Sequence, residues 1–260
     1  MTGKQVLTID ASSTPNQVLT VSFYVPDYGD YVKVKRLYPY PTRDGEQRPP
    51  YSVEELLFAY LIAEIKKKGK ALPIDPQDLP SRLEPFPIDD RQAIMQEFIA
   101  TCFPDDEQQK TARNFALEQR KGEPKPSIVV PALITPSGRS YTFVRPNTGA
   151  QWKADNSWKS ASENGCTLDE YLLAMCLTHV DGKEIEPQKD PIEVFTGESI
   201  ELVQFLAMIF VNAFLLDDKA AEEAKKRGKL NKQKLRAAFG NSKSATHRTV
   251  DTTPTSAAQV

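Results

Sequence analysis

Residues 52–62 read SVEELLFAYLI, and residues 167–177 read TLDEYLLAMCL. Each stretch begins with a hydroxyl residue, and a glutamate follows three positions later: Glu55 in the first and Glu170 in the second, 115 positions apart. This spacing is a capping box, in which two side chains bond each other's backbone amides at the start of a helix. The apolar residues that follow recur at helical spacing, so both stretches are predicted to be helices with a buried face.

The likeness between the two regions continues downstream. An isoleucine, an acidic residue, a proline and a glutamine occur in that order at residues 74–77 and again at 185–188. A pair of aspartates follows the next apolar segment in both, at 105–106 and at 217–218. Because internal repeats decide the fold, we predict an α+β protein with a tandem duplication of a β-hairpin–helix–connector–helix module. The alternative is one α+β domain whose leucine-rich helices resemble each other by chance.

Each module is predicted to open with a β-hairpin, because runs rich in Val, Thr, Tyr and Phe flank a glycine-containing turn. The predicted strands are residues 18–25 and 31–37 in the first module and residues 128–134 and 140–145 in the second. Gly29 and Gly138 mark the turns, where glycine adopts a positive φ at little cost. Gly69 and Gly182 are predicted to end the helices that follow, and the last helices to begin near Asp89 and Ser199.

The predicted domain organisation follows changes in composition. A polar stretch with glycine and proline is the expected linker, and a basic, then polar, stretch follows the second module. The predicted bounds are an N-terminal arm (1–17), a first module (18–118), a linker (119–126), a second module (127–228) and a basic, then disordered, C-terminal tail (229–260). Beyond residue 240 the chain has too few apolar residues to offset the entropy lost on ordering.

The bulk composition is that of a globular protein. The 260 residues are 40% hydrophobic and 26% charged, with a formal net charge of −2. This charge gives no overall attraction to nucleic acid or to anionic lipid. The strongly apolar run without charge at residues 202–216 is shorter than the roughly 20 residues that span a bilayer. We therefore expect no membrane contact, and nucleic acid is an unfavoured partner.

Nothing in the sequence indicates catalysis or metal binding. The two histidines, His179 and His247, lie far apart, and the three cysteines form no CxxC pair. One histidine and one cysteine supply too few ligands for a tetrahedral zinc site. The chain also lacks the glycine-rich phosphate loops and the nucleophile motifs of common enzymes. We therefore predict a non-enzymatic protein with no cofactor, no metal and no catalytic residue.

Candidate partner-binding residues are the exposed cations and aromatic residues of the predicted loops and tail. They are Arg36, Arg145, Trp152, Trp158, Lys225, Lys226, Arg227 and Lys229. Exposed tryptophan and arginine side chains often anchor protein interfaces. The basic stretch fits an arm that binds an acidic partner or nucleic acid, but it also fits a solvated helix end whose cations suit the helix dipole.

The second module resembles the small tail-assembly chaperones and baseplate-associated proteins of tailed bacteriophages. The resemblance lies in YTFVR (141–145), EYLL (170–173), VDGK (180–183), Asp190-Pro191 and the apolar segment 202–216, within residues 127–225. It implies a non-enzymatic assembly or structural role through protein–protein contacts. The implied partners are other tail or baseplate proteins, including the tape-measure protein, and an oligomer is compatible with this role. The implied location is the host cytoplasm during assembly or the virion tail.

The competing hypothesis is a nucleic-acid-binding accessory protein that uses the basic tail and the loop aromatics. Trp152 and Trp158 have neighbouring lysines and could stack on bases. Phosphate-driven binding weakens steeply with added salt, whereas docking between apolar protein surfaces does not. The salt response of binding therefore separates the two hypotheses.

Overall fold

The computed structural model describes residues 5–10, 19–38, 51–75, 78–159, 161–186 and 188–215. We call the described residues up to Gln119 the first half and those from Ser127 the second half. The elements of the first half are β1 (Val6–Asp10), β2 (Leu19–Tyr24), α1 (Tyr28–Leu37), α2 (Val53–Leu61), β3 (Ile62–Lys67), β4 (Lys70–Ala71), a 3-10 turn (Pro80–Leu83), α3 (Ile88–Cys102) and α4 (Asp106–Gln119).

The second half repeats this order of strands and places a 3-10 turn and a helix after its last strand. Its elements are β5 (Ser127–Val130), a 3-10 turn (Ala132–Ile134), β6 (Tyr141–Val144), α5 (Thr148–Ser157), α6 (Ala161–Asn164), α7 (Leu168–Cys176), β7 (Leu177–Val180), β8 (Lys183–Glu184), a 3-10 turn (Pro191–Phe195), α8 (Ile200–Phe210) and a π-helical turn (Val211–Leu215).

Each half contains one four-stranded antiparallel sheet. The strand orders are β1-β2-β3-β4 and β5-β6-β7-β8, so neighbours in sequence are neighbours in the sheet. The pairing of the second and third strands is irregular at the same place in both, between Ser22 and Phe23 and between Thr142 and Phe143. The mixed α+β fold is therefore confirmed. The common topology is what a tandem duplication predicts, and the duplication itself stays a prediction.

Every second side chain of the strands β2 and β6 is buried, so one face of each sheet points into the core. In β2, Val21 and Phe23 are fully buried, and in β6, Tyr141 and Phe143 are buried in the same way. Phe23 meets Phe58 of α2 edge-on, with ring centroids 5.6 Å apart. Burying an aromatic side chain of this size stabilises the fold by roughly 1.5–3 kcal/mol. Each sheet is therefore held to its helices mainly by apolar burial.

The first predicted hairpin is wrong in its second strand. Residues 31–37 belong to helix α1, and β2 pairs with β1, which lies earlier in the sequence. Asp27 caps the helix, because its carboxylate accepts from the amide of Asp30, and Asp30 reciprocates. The capping box is a local signal that outweighs the apparent alternation of the segment. Gly29 and Arg36 therefore lie in a helix. The second hairpin, with Gly138 at φ +66°, is confirmed, but its first strand ends at Val130 and residues 132–134 form a 3-10 turn instead of strand.

The prediction that Gly69 and Gly182 end helices is wrong. Helix α2 passes directly into β3, and α7 into β7. Each glycine instead follows a residue with positive φ, Lys68 (51°) or Asp181 (52°), in a two-residue hairpin turn. Two successive positive φ angles define the type I′ turn, whose twist suits antiparallel strands. The predicted connectors are therefore short strands paired to their neighbours.

The two halves share one hydrophobic core, and the described residues up to Leu215 form one compact unit. Helix α1 lies between the halves: the amide of Tyr28 donates to the carbonyl of Glu198 at 2.7 Å. The Tyr28 and Phe195 ring centroids are 5.9 Å apart. Helix α4 packs against α8. Helices of the first half contact the second half directly, so the interface between the two halves includes buried apolar surface.

Several predictions lie outside the described residues. These are the tail from 229 to 260, the last part of the second module (216–228) and most of the N-terminal arm. The domain bounds stay a prediction.

No helix in the described part of the chain is long and apolar enough to cross a bilayer.

Candidate functional site

A groove of about 330 Å³ opens in the second half, beside the end of helix α7. It lies between that helix end, the β7–β8 hairpin and the 3-10 turn Pro191–Phe195. Its lining residues are Ala174, Met175, Leu177, Thr178, Glu184, Ile185, Glu186, Gln188, Pro191 and Val194. The volume is sufficient for one large side chain or a small ligand, at the low end of known ligand pockets.

The capping box of α7 fixes the position of the groove. Thr167 and Glu170 exchange bonds with each other's amides at 2.7 and 3.2 Å. Lys35 of α1 reaches within 3.9 Å of the largely buried Glu170 carboxylate. These contacts hold the start of the helix, and its other end passes without a loop into β7. The end of α7 is therefore anchored on both sides, which makes the groove a pre-formed feature.

The groove is negative at its helix end. The last carbonyls of an α-helix lack helical partners and carry the negative end of its dipole. Helix α7 has no basic residue in its last turn. Glu184 and Glu186 are exposed at the rim, and the Gln188 side-chain amide donates to the Glu186 carbonyl at 3.2 Å. Carbonyl and carboxylate oxygens beside an apolar floor suit a ligand that is both cationic and apolar.

The first half has its own side chain at the corresponding place. Arg82, in the 3-10 turn after β4, donates from Nη1 to the Ala59 carbonyl at 2.9 Å. Its Nε donates to the Asp75 carbonyl at 2.7 Å, and a longer contact of 3.5 Å joins Nη1 to the Tyr60 carbonyl. Helix α2 also lacks a basic residue in its last turn. Arg82 therefore supplies the positive charge that the end of α2 lacks.

The two predicted arginines have partners within the chain. Arg36 donates to the Asn164 carbonyl at 3.0 Å and to the Asp190 carboxylate at 3.2 Å, so it joins α1 to the second half. Arg145 donates to the Lys125 carbonyl at 3.1 Å, and its guanidinium lies 5.2 Å from the Phe214 ring centroid. Both side chains stabilise the fold where they lie, and they remain partly open to solvent.

The two tryptophans differ from each other. Trp152 on α5 is 66% exposed. Trp158 is half-buried, and its indole N–H donates to the Cys166 carbonyl at 3.1 Å. Lys225, Lys226, Arg227 and Lys229 lie outside the described residues. Arg36, Arg145, Trp152 and Trp158, the predicted side chains that the structure describes, do not line the groove.

The cysteines lie in the core rather than at a reactive surface. All three are free and buried. Burial raises the pKa of Cys102 and of Cys166 to about 12, and the pKa of Cys176 to about 11. Thiols held protonated at neutral pH are poor nucleophiles and poor metal ligands. Within the described residues, no three His, Cys, Asp or Glu side chains are grouped so that they could hold a metal ion.

The sequence contains a signal for this groove in its internal repeat. The repeated tetrapeptide at 74–77 and 185–188 marks the connector that borders the site in each half. The informative position is Arg82 against Val194, which lie the same distance before the next helix, Ile88–Cys102 or Ile200–Phe210. No family model, no curated protein and no solved structure shows a significant match to the chain.

Proposed function

We propose that this chain is a non-enzymatic interaction protein, and that a partner protein binds in the groove at the end of α7. One observation carries the proposal. The first half fills the corresponding place with Arg82, whereas the second half leaves a groove of about 330 Å³ beside an anchored helix end. A carbonyl-lined concavity next to apolar surface is the kind of site in which one anchoring side chain of a protein partner is desolvated.

We further propose that the partner is a component of a bacteriophage tail or baseplate, with the tape-measure protein as the first candidate. Support for this step is the resemblance of residues 141–145, 170–173 and 180–183 to tail-assembly chaperones and baseplate-associated proteins. Residues 170–173 lie in α7, and residues 180–183 form the β7–β8 turn. Two of these three motifs therefore belong to elements that frame the groove, and residues 141–144 form β6. The protein acts in the host cytoplasm during assembly or as a subunit of the virion tail.

The test is affinity capture with the tagged full chain from cells that naturally produce it. Val194→Tyr fills the groove, and Val129→Tyr is the matched control, because Val129 is 58% exposed on β5 and does not line the groove. We expect the unchanged chain and Val129→Tyr to capture the same tail or baseplate protein, and Val194→Tyr to lose it. Mass spectrometry identifies the protein.

Two outcomes would reject the proposal. Equal capture by Val194→Tyr and Val129→Tyr would show that the groove is not the binding site. Recovery of nucleic acid alone, released by moderate salt, would favour the competing accessory role. Mass spectrometry of purified particles then separates a transient chaperone from a permanent virion subunit, because only a subunit is abundant in the finished particle.

A further inference from the structure

We infer that the groove of the second half receives an arginine side chain from the partner protein. This inference rests on the proposed function and names the chemistry of the contact. The basis of the inference is that the first half already contains the same contact within one chain, an arginine bonded to carbonyl oxygens at a helix end. Arg82 binds there to three carbonyl oxygens, and each of those residues has a counterpart in the second half that lines the open groove.

The counterparts are set by the shared order of elements. Ala59 and Tyr60 lie two and one positions before the last residue of α2, and Ala174 and Met175 lie at the same distance from the end of α7. The connector supplies the third acceptor. In the repeated tetrapeptide, Asp75 of the first half stands where Glu186 stands in the second. The residue pairs are therefore Ala59 with Ala174, Tyr60 with Met175, and Asp75 with Glu186.

Counted back from the next helix, Val194 occupies the position of Arg82, because the 3-10 turn Pro191–Phe195 is one residue longer than Pro80–Leu83. Each residue immediately precedes a buried side chain, Leu83 or Phe195, and that side chain comes five positions before the first residue of the next helix. Replacing arginine by valine removes the guanidinium and most of its stem. The groove lies beside Val194, and the counterparts of the three residues that accept from Arg82 line it.

The surrounding charges favour a cation. Glu184 and Glu186 line the groove, and no lysine or arginine among the described residues does. The Glu186 carbonyl accepts from Gln188, but a carbonyl oxygen has a second lone pair for another donor. Arginine suits the site better than lysine, since its planar guanidinium presents five donors in fixed directions and its apolar stem can lie along Met175 and Val194.

The first test is an NMR titration of the full chain with N-acetyl-L-arginine N-methylamide. The matched probes are the citrulline analogue, which keeps the shape without the charge, the lysine analogue, which keeps the charge without the fork, and the norleucine analogue, which keeps only the apolar stem. We expect shifts at the amides of Thr178, Glu184 and Gln188. Loss of charge-assisted bonds should weaken binding of the other three probes by about tenfold or more. Equal binding of the lysine or norleucine probe would overturn the inference.

Variants of the chain complete this test. Val194→Arg places a guanidinium in the groove as Arg82 does in the first half, so the arginine probe should no longer bind. The double variant Glu184→Gln, Glu186→Gln changes only exposed side chains, and it should weaken binding by about tenfold while leaving the fold intact. Unchanged binding of the arginine probe to both variants would overturn the inference.

A second test uses the first half as an internal standard. Arg82→Ala opens the corresponding place there, and millimolar ethylguanidinium should then raise the thermal midpoint of this variant more than that of the unchanged chain. Ethylammonium, with the same charge and a different shape, should not. Absence of any selective rescue would show that these carbonyls do not recognise guanidinium, and would overturn the inference.

The experiments separate failure of the inference from failure of the proposed function. If a protein partner is captured and Val194→Tyr abolishes capture, while the arginine probe neither binds nor competes, the function stands and the inference fails. If the arginine probe binds with the expected selectivity and no partner is captured through the groove, the chemistry of the site stands and the proposed function fails.

Discussion

The ends of helices α2 and α7 lie in similar surroundings and differ in what covers them. Both helices begin with a capping box, lack a basic residue in the last turn and pass directly into a strand. In the first half Arg82 bonds to the exposed carbonyls, whereas in the second half Val194 borders a groove. The difference teaches that two helix ends with the same local features can differ in whether an arginine of the chain bonds to them.

The largest expected loss of unfolding free energy tests whether the two halves are packed as one unit. Gly165 has φ +68°, and a Cβ there would lie 2.3 Å from the Val32 carbonyl oxygen of α1. Gly165→Ala should therefore cost about 3 kcal/mol or more of unfolding free energy, measured by urea denaturation, because backbone must move. Gly182→Ala is the control: its φ is +72° with nothing within 4 Å, so strain alone should cost about 1–2 kcal/mol. Equal losses would show that α1 is not closely held by the second half.

The next effect tests the comparison at Arg82 itself. Arg82→Ala removes three bonds to carbonyl oxygens and should lower the unfolding free energy by about 2 kcal/mol. Val194→Ala removes only half-buried methyl groups and should cost about 0.5–1 kcal/mol. Arg82→Met, which keeps the apolar stem, should fall between them. If the two alanine variants unfold at the same urea concentration, Arg82 does not stabilise the end of α2.

Smaller losses of unfolding free energy are expected at the capping boxes of α2 and α7, and the two losses should be equal. Ser52 and Thr167 each accept from the amide of a glutamate, at 3.1 and 3.2 Å. Ser52→Ala and Thr167→Ala should each cost about 1 kcal/mol in thermal or urea unfolding. The swaps Ser52→Thr and Thr167→Ser retain the hydroxyl and should remain close to the unchanged chain. If the two alanine variants lose very different amounts of unfolding free energy, the two helix starts are not equivalent.

The smallest effect is a pH dependence confined to the second hairpin turn. Hydrogen bonds from Arg139 and then from the Ser140 backbone lower the pKa of Asp181 below its ordinary value. A carboxyl with a lowered pKa in the folded state stabilises the fold above its unfolded pKa, and this contribution is lost as the pH falls through the folded value. Asp181→Asn should therefore remove part of the acid sensitivity of the thermal midpoint. Lys68→Asn, at the same turn position in the first half, should not.

Local signals predicted the parts of the fold that local bonds determine. The capping boxes placed the starts of α2 and α7 correctly, since their side chains and amides are three residues apart. The turn at Gly138 placed the β5–β6 hairpin. The failure at α1 has a similar origin, because Asp27 and Asp30 form a third capping box that the alternation of residues 31–37 concealed.

The groove was not predictable in the same way. Arg82 reaches carbonyls 7, 22 and 23 positions earlier in the chain, and no short motif describes such bonds. Arg36 and Arg145 were singled out for their charge, and both bond within the chain. Composition identifies which side chains are able to bind a partner. Only the three-dimensional arrangement shows which of them already have one and which helix end is left without a cation.

The position of α1 between the halves has a consequence for synthesis on the ribosome. Tyr28 emerges early, but Glu198 and Phe195, which cover it, are translated about 170 residues later. Until then the aromatic face of α1 stays exposed to other nascent chains, and contacts so distant in sequence form slowly. The N-terminal half completes its burial only after the second half has been translated as far as Glu198.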